Sequence, residues 1–152
     1  CENNGYAISV PLNKQMAVAE IGSRGPIYGM PGVTIDGTDI FAVFEATQAA
    51  MKRALDGDGP TLINAKVERY LPHTSDDDDT RYRPKKEIEE AKKYDPLKFL
   101  RNRLLEHNVV SPGMIKEIDD RTKIIINKTT EIIEKTTLPD ADDFDEQVYE
   151  MK

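Results

Sequence analysis

The sequence contains no tryptophan, a single cysteine and two histidines among its 152 residues. One cysteine cannot form an internal disulfide, which fits a reducing compartment, so we expect a cytoplasmic protein. No apolar run approaches the roughly 20 residues needed to cross a bilayer, so no membrane association is expected. Lys and Arg number 21 against 28 Asp and Glu. The resulting net charge of −7 argues against a nucleic-acid partner.

The residues that are present fit a globular protein, because 38% are hydrophobic and 32% are charged. A chain of this length can bury one ordinary core. It opens on Cys1 with no initiating Met, so an element that belongs inside a fold is expected at the terminus. We therefore interpret the chain as a piece of a larger protein.

A long helix followed by a strand is the clearest pattern in the first half of the chain. Apolar residues between positions 38 and 55 recur at helical spacing and predict one buried face. Asp36 or Thr38 is expected to cap this helix, and Gly57 and Gly59 to end it. Residues 61–67 have the composition of a strand, so the pair predicts an αβ unit of a parallel sheet. The residues of the helical face are Ile40, Val43, Phe44, Ala50, Met51 and Ala54.

The segment before this unit gives weaker signals. An apolar run over residues 6–10 is stopped by Pro11, and residues 13–21 have the composition of a short helix that Gly22 ends. Residues 25–33 contain Gly and Pro so densely that we expect an ordered loop or lid without regular structure.

The second half of the chain is predicted to be a polar loop followed by helices. Residues 71–83 are rich in like charge. Residues 85–94 have a helical pattern, and Asp95-Pro96 and Ser111-Pro112 are start signals for two further helices. The simplest assembly is a helical tail on one edge of an α/β sheet, and the alternative is a free-standing helical bundle joined to a hairpin. The last helix carries one apolar face: Ile115, Ile118, Thr122, Ile125, Thr129, Ile132 and Ile133.

Asn3-Asn4-Gly5 has two interpretations. Asn-Gly between extended segments is a common signal for a hairpin turn. At the carboxyl end of a parallel strand, Asn side-chain and backbone oxygens can instead bind a hard divalent cation. The residues alone favour the hairpin and leave the metal site open.

Residues 2–11, Glu-Asn-Asn-Gly-Tyr-Ala-Ile-Ser-Val-Pro, resemble the second half of the thiamine diphosphate motif in alpha subunits of heterotetrameric 2-oxoacid dehydrogenases. This resemblance implies that the Asn4 side chain and the Tyr6 backbone carbonyl coordinate Mg²⁺, which in turn holds the diphosphate. It also implies that the cofactor is contacted by residues of this segment and by one histidine farther on. These residues are Asn4, Gly5, Tyr6, Ile8 and His73.

The resemblance continues in the same order along nearly the whole chain. Four further segments are similar to the family. Residues 28–39 lead into the long helix, and residues 59–63 correspond to the next strand. Residues 69–83 correspond to the active-site loop, and residues 143–149 to the closing helix. The resemblance thus implies an α/β fold, with the C-terminal part of a thiamine-diphosphate-binding domain followed by a helical tail. The implied divisions are residues 1–70 for that domain, 71–83 for the active-site loop and 84–152 for the tail.

The loop contains the residues to which the resemblance assigns catalysis. His73 is implied to lie beside the reaction centre of the cofactor, where an imidazole can donate to a developing oxyanion or move a proton. Thr74 and Ser75 fall where mitochondrial relatives are phosphorylated, and a phosphate beside the acidic run would be repelled. Four further side chains are implied to hold the loop in one conformation over the cofactor. They are Arg69, Asp77, Tyr82 and Arg83.

Two departures from the family pattern limit what the chain does alone. The Gly-Asp-Gly that opens the cofactor motif is absent ahead of Asn4. The same three residue types occur at Gly57-Asp58-Gly59, after Asn4, and are interpreted there as a turn. Glu2 stands where some relatives have an Arg that contacts phosphate. We therefore expect the chain to be inactive by itself.

The implied whole enzyme decarboxylates a 2-oxoacid and transfers the acyl group to a lipoyl arm. The resemblance implies a beta subunit in an alpha-two beta-two heterotetramer, a lipoyl-bearing transacylase, and thiamine diphosphate with Mg²⁺. Ser75-Asp76-Asp77 is more similar to the loop of branched-chain enzymes than to that of pyruvate enzymes, and acetoin dehydrogenases share much of this pattern, so pyruvate and acetoin enzymes are alternatives. A different hypothesis is a non-catalytic docking module, favoured if Phe41, Phe44 and Ile124 are exposed.

Overall fold

The computed structural model describes residues 1–18 and 20–138. The chain divides into two compact units, Cys1–His107 and a second that begins at Asn108. The strands are β1 (Glu2–Asn3), β2 (Tyr6–Ala7), β3 (Val10–Pro11), β4 (Gly32–Asp36) and β5 (Leu62–Lys66). The α-helices are α1 (Leu12–Gln15), α2 (Ile40–Leu55), α3 (Lys85–Ala91), α4 (Pro96–Glu106) and α5 (Pro112–Lys135). The closing helix predicted at residues 143–149 lies outside the described residues.

A three-stranded parallel sheet organises the first unit. Its order is β1-β5-β4, so β5 is central and pairs with both neighbours. Helix α2 connects β4 to β5, which confirms the predicted αβ unit of a parallel sheet. Asn64 in β5 is fully buried, and its Nδ2 donates to Thr34 Oγ1 at 3.2 Å. The carboxyl ends of the three strands lie at the same edge of the sheet.

The prediction for residues 13–33 was wrong in two respects. Helix α1 has only four residues, because Met16 already has an extended backbone (φ −132°, ψ 135°). The Gly- and Pro-rich segment is also regular, since it forms a 3-10 helix over Ile21–Tyr28 followed by strand β4. A Cβ on Gly32 would lie 1.7 Å from the carbonyl oxygen of Gly22. The glycines therefore allow the 3-10 helix to contact the strand directly.

Helix α2 begins two residues later than predicted. Its cap is Asp39, whose Oδ1 accepts from the Phe41 N–H at 2.9 Å. Asp36, a predicted cap, instead accepts from the Thr38 N–H at 2.8 Å in the preceding turn. The helix ends at the predicted place, because Gly57 adopts φ 84° in the turn before β5.

The predicted burial of one face of α2 is not found. Within the described residues, no side chain of this helix is buried, and Phe44 and Met51 are 64% and 60% exposed. Val43 and Ala50 are half-buried. The physical reason is that the described chain provides the sheet beneath α2 but no layer above it.

The start signals of the later helices are confirmed. Asp95 Oδ1 accepts from the Leu97 N–H at 2.9 Å at the start of α4, and Ser111 Oγ accepts from the Met114 N–H at 3.2 Å at the start of α5. Within the described residues, α5 has no buried side chain, and its predicted apolar face is exposed except at Ile115, which is half-buried. None of the helices in the part of the chain that the structure describes could span a membrane.

The interior of the first unit is more polar than apolar. Among the described residues, Ala91 is the single buried hydrophobic side chain. The buried polar and charged residues are Asn64, Asp79 and Arg83. Two of these belong to the loop that follows β5, so buried charge is concentrated there.

Candidate functional site

The turn after β1 is built by the side chains of its two asparagines. Asn3 Oδ1 accepts from the Gly5 N–H at 3.1 Å, and Asn4 Oδ1 accepts from the Tyr6 N–H at 3.0 Å. Gly5 has φ 79°, a left-handed conformation that glycine adopts without strain. The hairpin interpretation of Asn4-Gly5 was wrong, because the β2–β3 hairpin turns at Ile8 instead. Asn4 lies at the carboxyl end of a parallel strand.

The backbone N–H and carbonyl of Tyr6 point away from β3. The Leu12 N–H donates to the Gly5 carbonyl at 2.8 Å, and bonded and non-bonded pairs alternate in an antiparallel ladder. Tyr6 is therefore in the non-bonded pair opposite Pro11, which has no N–H. The N–H of Tyr6 bonds Asn4, and the carbonyl of a strand residue points to the same side as its N–H. The Asn4 amide oxygen and the Tyr6 carbonyl are thus on one side of the turn.

Ile8 has a backbone conformation that is rare for its residue type. Its φ is 56°, in the left-handed region where a β-branched side chain is strained, and its side chain is 57% exposed. Such a conformation costs about 1–3 kcal/mol and is found at functional sites when the surrounding structure enforces it. The two-residue hairpin requires it, because its first turn residue needs a positive φ. The hairpin therefore fixes the geometry next to the Asn4 turn.

The Tyr6 ring lies among aromatic and cationic side chains from the loop. Its centroid is 6.0 Å from that of Tyr82. The Arg69 and Arg83 guanidinium carbons lie 5.6 Å and 5.1 Å from the centroid of Tyr6, within the range of a cation–π interaction. These contacts connect the turn after β1 with the loop after β5.

Arg83 is the buried charge in this cluster, with a relative exposure of 2%. Its Nη1 donates to the Arg69 carbonyl at 2.7 Å, and its Nε donates to Glu87 Oε1 at 3.1 Å. Asp79 Oδ2 lies 3.8 Å from Nη1 and is also nearly buried. The guanidinium is therefore bonded and neutralised, as a buried charge requires.

Asp77 organises the first part of the loop. Its Oδ2 accepts from the His73 N–H at 2.9 Å and from the Tyr82 hydroxyl, and Arg69 Nη2 donates to that hydroxyl at 2.9 Å. The Tyr82 hydroxyl, followed by the His73 N–H, lowers the pKa of the Asp77 carboxyl. The structure thus brings together the predicted residues Arg69, Asp77, Tyr82 and Arg83.

His73 is held through its backbone, while its side chain is exposed. Thr74 and Ser75 are exposed beside it, and Ser75 Oγ donates to Asp76 Oδ1 at 3.0 Å. Asp78 Oδ1 accepts from the Thr80 N–H at 3.2 Å and begins a short 3-10 helix over Asp79–Arg81. The acidic run is therefore part of the loop framework.

Sequence reasoning missed Glu87 and Glu68. Glu87 in α3 accepts from the Tyr6 hydroxyl at 3.1 Å and from Arg83 Nε. Burial and then the Glu87 hydrogen bond raise the pKa of Tyr6. Burial also raises the pKa of Glu68, against the lowering effect of Arg83. Arg83 and Glu87 are four residues apart, a spacing that favours an ion pair, so the sequence did contain a signal for the Arg83–Glu87 contact.

The turn and α3 border a cleft of about 440 Å³. Amide, carbonyl and carboxylate oxygens lie along its wall, so it can accept a cation or hydrogen-bond donors. Within the described residues, no group of three or more His, Cys, Asp or Glu side chains is arranged to hold a metal. The lining includes Asn3, Asn4, Gly5, Tyr6, Glu68 and Glu87.

In open parallel α/β sheets ligands bind outside the carboxyl ends of the strands, which is where the asparagine turn lies. Comparison with known proteins gives the class: the chain belongs to the dehydrogenase E1 component family, whose model matches residues 1–142. The resemblance found in the sequence is thereby confirmed. The E1 family implies thiamine diphosphate as the cofactor.

Three curated relatives indicate where in that family the chain falls. It is 47% identical over 131 residues to the 2-oxoisovalerate dehydrogenase subunit alpha of Bacillus subtilis (strain 168), covering 86% of this chain and 40% of that protein. It is 40% identical over 148 residues to the pyruvate dehydrogenase E1 component subunit alpha of Staphylococcus aureus (strain Mu50 / ATCC 700699), covering 87% and 40%. The 3-methyl-2-oxobutanoate dehydrogenase subunit alpha of Mycobacterium tuberculosis (strain CDC 1551 / Oshkosh) is 36% identical over 144 residues, covering 95% and 38%. The chain thus spans about 40% of the length of these relatives.

Proposed function

We propose that this chain is the part of a 2-oxoacid dehydrogenase alpha subunit that completes the cofactor site and carries its active-site loop. The observation that carries the proposal is the junction at Tyr6, whose backbone belongs to the asparagine turn and whose ring lies against the loop arginines. In this assignment residues 1–70 belong to the cofactor domain, 71–83 to the loop and 84–152 to the tail.

The oxygen donors of the turn fit Mg²⁺ and the diphosphate that it would hold. Amide and carbonyl oxygens are hard ligands, and the Asn4 amide oxygen and Tyr6 carbonyl lie on one side of the turn. An octahedral ion needs about six ligands, so the others must come from the diphosphate, from water and from groups outside this chain. Gly5 lets the backbone approach the ligand, and Ile8 lies next to it. When bound, thiamine diphosphate supplies the electron sink for decarboxylation.

The loop cluster positions His73 in this proposal. Arg69, Asp77 and Tyr82 form one hydrogen-bonded chain that ends on the His73 N–H, and Arg83 ties the far end of the loop to the Arg69 carbonyl. With its backbone fixed, the exposed imidazole of His73 can donate a proton to an oxyanion that develops on the substrate. The chain thus contributes a proton donor whose backbone position is fixed.

The proposed substrate is a branched-chain 2-oxoacid, and the proposed partners are a beta subunit in an alpha-two beta-two assembly and a lipoyl-bearing transacylase. The 47% identity to the 2-oxoisovalerate relative supports this choice. Pyruvate is the alternative, because the pyruvate relative is still 40% identical.

The test uses the full-length protein assembled with its companion subunit. We expect calorimetric binding of thiamine diphosphate with Mg²⁺ and faster turnover of 3-methyl-2-oxobutanoate than of pyruvate. His73→Ala is expected to lower kcat by roughly 10²–10⁴-fold, the usual contribution of a general acid. The control is His107→Ala, because His107 is exposed at the end of α4. No cofactor binding by the wild-type assembly would contradict the proposal, and an unchanged His73→Ala rate would contradict the catalytic role.

A second candidate function is a docking module without catalysis. The exposure of Phe41 and Phe44 on α2, and separately of Ile124 on α5, favours it, because exposed apolar side chains favour association. Such a module would show no thiamine-dependent decarboxylation in any assembly. The same turnover assay therefore separates the two functions.

A further inference from the structure

Glu87 occupies a position where a carboxylate is favoured locally. It lies in the first turn of α3, and its N–H donates to the Pro84 carbonyl at 2.8 Å. Negative charge near a helix N-terminus is stabilised by the helix dipole. Its side chain is 42% exposed, so this site requires no deeply buried carboxylate.

The Glu87 carboxylate joins two parts of the chain that are far apart in sequence. Both of its oxygens lie 3.1 Å from the Tyr6 hydroxyl, which is 81 residues away. Oε1 also accepts from Arg83 Nε at 3.1 Å. One carboxylate therefore bonds the side chain of the turn residue and the last arginine of the loop.

The hydroxyl bond to Glu87 restrains the Tyr6 ring in addition to its cation–π contacts with the arginines. A cation–π interaction acts between a cation and the face of a ring, and it varies little when the ring rotates in its own plane. A hydrogen bond at the hydroxyl fixes the position of the ring edge. The Tyr6 hydroxyl donates to Glu87, and Arg83 cannot replace this acceptor because a guanidinium only donates. Without Glu87, Arg83 would still face Asp79, whose Oδ2 lies 3.8 Å from Nη1.

The geometry points to Glu87 as a positioning residue: by holding the Tyr6 hydroxyl, it fixes the Tyr6 backbone so that the carbonyl stays at the metal. This inference rests on the proposed function, in which that carbonyl binds Mg²⁺. Glu87 itself does not touch the ion. Its effect passes through the phenol ring to the main chain of the same residue.

The experiment measures Mg²⁺ binding to the full-length protein assembled with its companion subunit, by calorimetry in the presence of thiamine diphosphate. The variants are Tyr6→Phe, Glu87→Ala and the double variant, with Glu89→Ala as the control for loss of charge on the same helix. We expect each single variant to weaken Mg²⁺ binding by roughly three- to tenfold, because each removes the same hydrogen bond to a charged acceptor. The Mg²⁺ affinity of the double variant is expected to be no lower than that of the single variant with the lower affinity.

Turnover gives a second measurement that general destabilisation would not reproduce. The Mg²⁺ concentration for half-maximal turnover is expected to rise in parallel with the Mg²⁺ dissociation constant of the same variant. Glu89→Ala is expected to match wild type in both measurements. If Glu87→Ala fails to fold, Tyr6→Phe decides alone, because it leaves the Arg83–Glu87 pair intact.

The outcomes separate this inference from the function on which it rests. A wild-type assembly that binds neither Mg²⁺ nor the cofactor overturns both. Wild-type binding combined with unchanged affinity in Tyr6→Phe overturns the inference and leaves the proposed function standing. Additive losses in the double variant also overturn the inference, because independent effects would mean that the two residues do not act through one bond.

Discussion

Replacing Arg83 with methionine tests how strongly buried charge orders the active-site loop. The change keeps the length and apolar stem of the side chain and removes the guanidinium. Two hydrogen bonds are lost, to the Arg69 carbonyl and to Glu87, together with the charge that faces Asp79. We expect the loop to leave its observed conformation for a larger fraction of the time.

The magnitude follows from the exposure of the three charged groups. Removing one partner of a buried ion pair typically destabilises by about 3–5 kcal/mol, because the other charge stays buried. The Glu87 side chain is 42% exposed and regains water, whereas the Asp79 side chain is 10% exposed and does not. The low end of the range applies, so the free energy of opening the loop is expected to fall by about 3 kcal/mol. That corresponds to an increase on the order of 100-fold in the open population.

Limited proteolysis of the full-length protein measures that population. Trypsin cleaves after Arg81, and the cleavage rate follows the open population when opening is fast relative to cleavage. Arg83 precedes Pro84, so its replacement removes no efficient trypsin site. Arg103→Met is the control, because Arg103 is an exposed arginine on α4. An Arg83→Met rate within about threefold of wild type would refute the reasoning that links burial to loop order.

Two further predictions concern pH and packing. The pKa of Asp77 is below its ordinary value, so the carboxylate stabilises the loop above about pH 4, and this contribution is lost as the pH falls through the lower native pKa. Pepsin cleavage of the loop should therefore rise more steeply below about pH 4 in wild type than in Asp77→Asn. Gly32→Ala should lower thermal stability by more than about 3 kcal/mol, because its Cβ would lie 1.7 Å from the Gly22 carbonyl oxygen. Gly113→Ala is the control, since its nearest atom is 3.7 Å away, and a Gly32→Ala melting temperature equal to wild type would contradict the packing argument.

Features fixed by local chemistry could be predicted from the sequence. Asp95 and Ser111 cap their helices as expected, because the side-chain oxygen of an N-cap residue accepts from an N–H two or three residues farther on. The strand over Leu62–Lys66 and the helix before it were also predictable, since their composition is bounded by glycine and proline. These signals act over a few residues and do not depend on contacts with distant parts of the chain.

Features that depend on distant contacts could not be predicted in this way. The Gly- and Pro-rich segment forms a 3-10 helix because Gly22 can approach Gly32, and that approach is visible only in the folded chain. Asn4-Gly5 is a hairpin signal in isolation, but pairing of the preceding strand with β5 makes it a strand-end turn. The bond between Tyr6 and Glu87 spans 81 residues and has no local signal. The loop grouping was available only from the resemblance to the family.

The balance of buried groups explains why the loop has one geometry. Among the described residues, Ala91 is the buried apolar side chain of the first unit, while Arg83 and Asp79 are buried as charges. Apolar burial is non-directional, so a small apolar core could not specify which loop atom contacts which turn atom. Hydrogen bonds to a planar guanidinium have a fixed direction, and those of Arg83 therefore select one arrangement of the loop relative to Tyr6. The order of this site should consequently respond to pH and to single charge changes more than to apolar substitutions in the exposed helices.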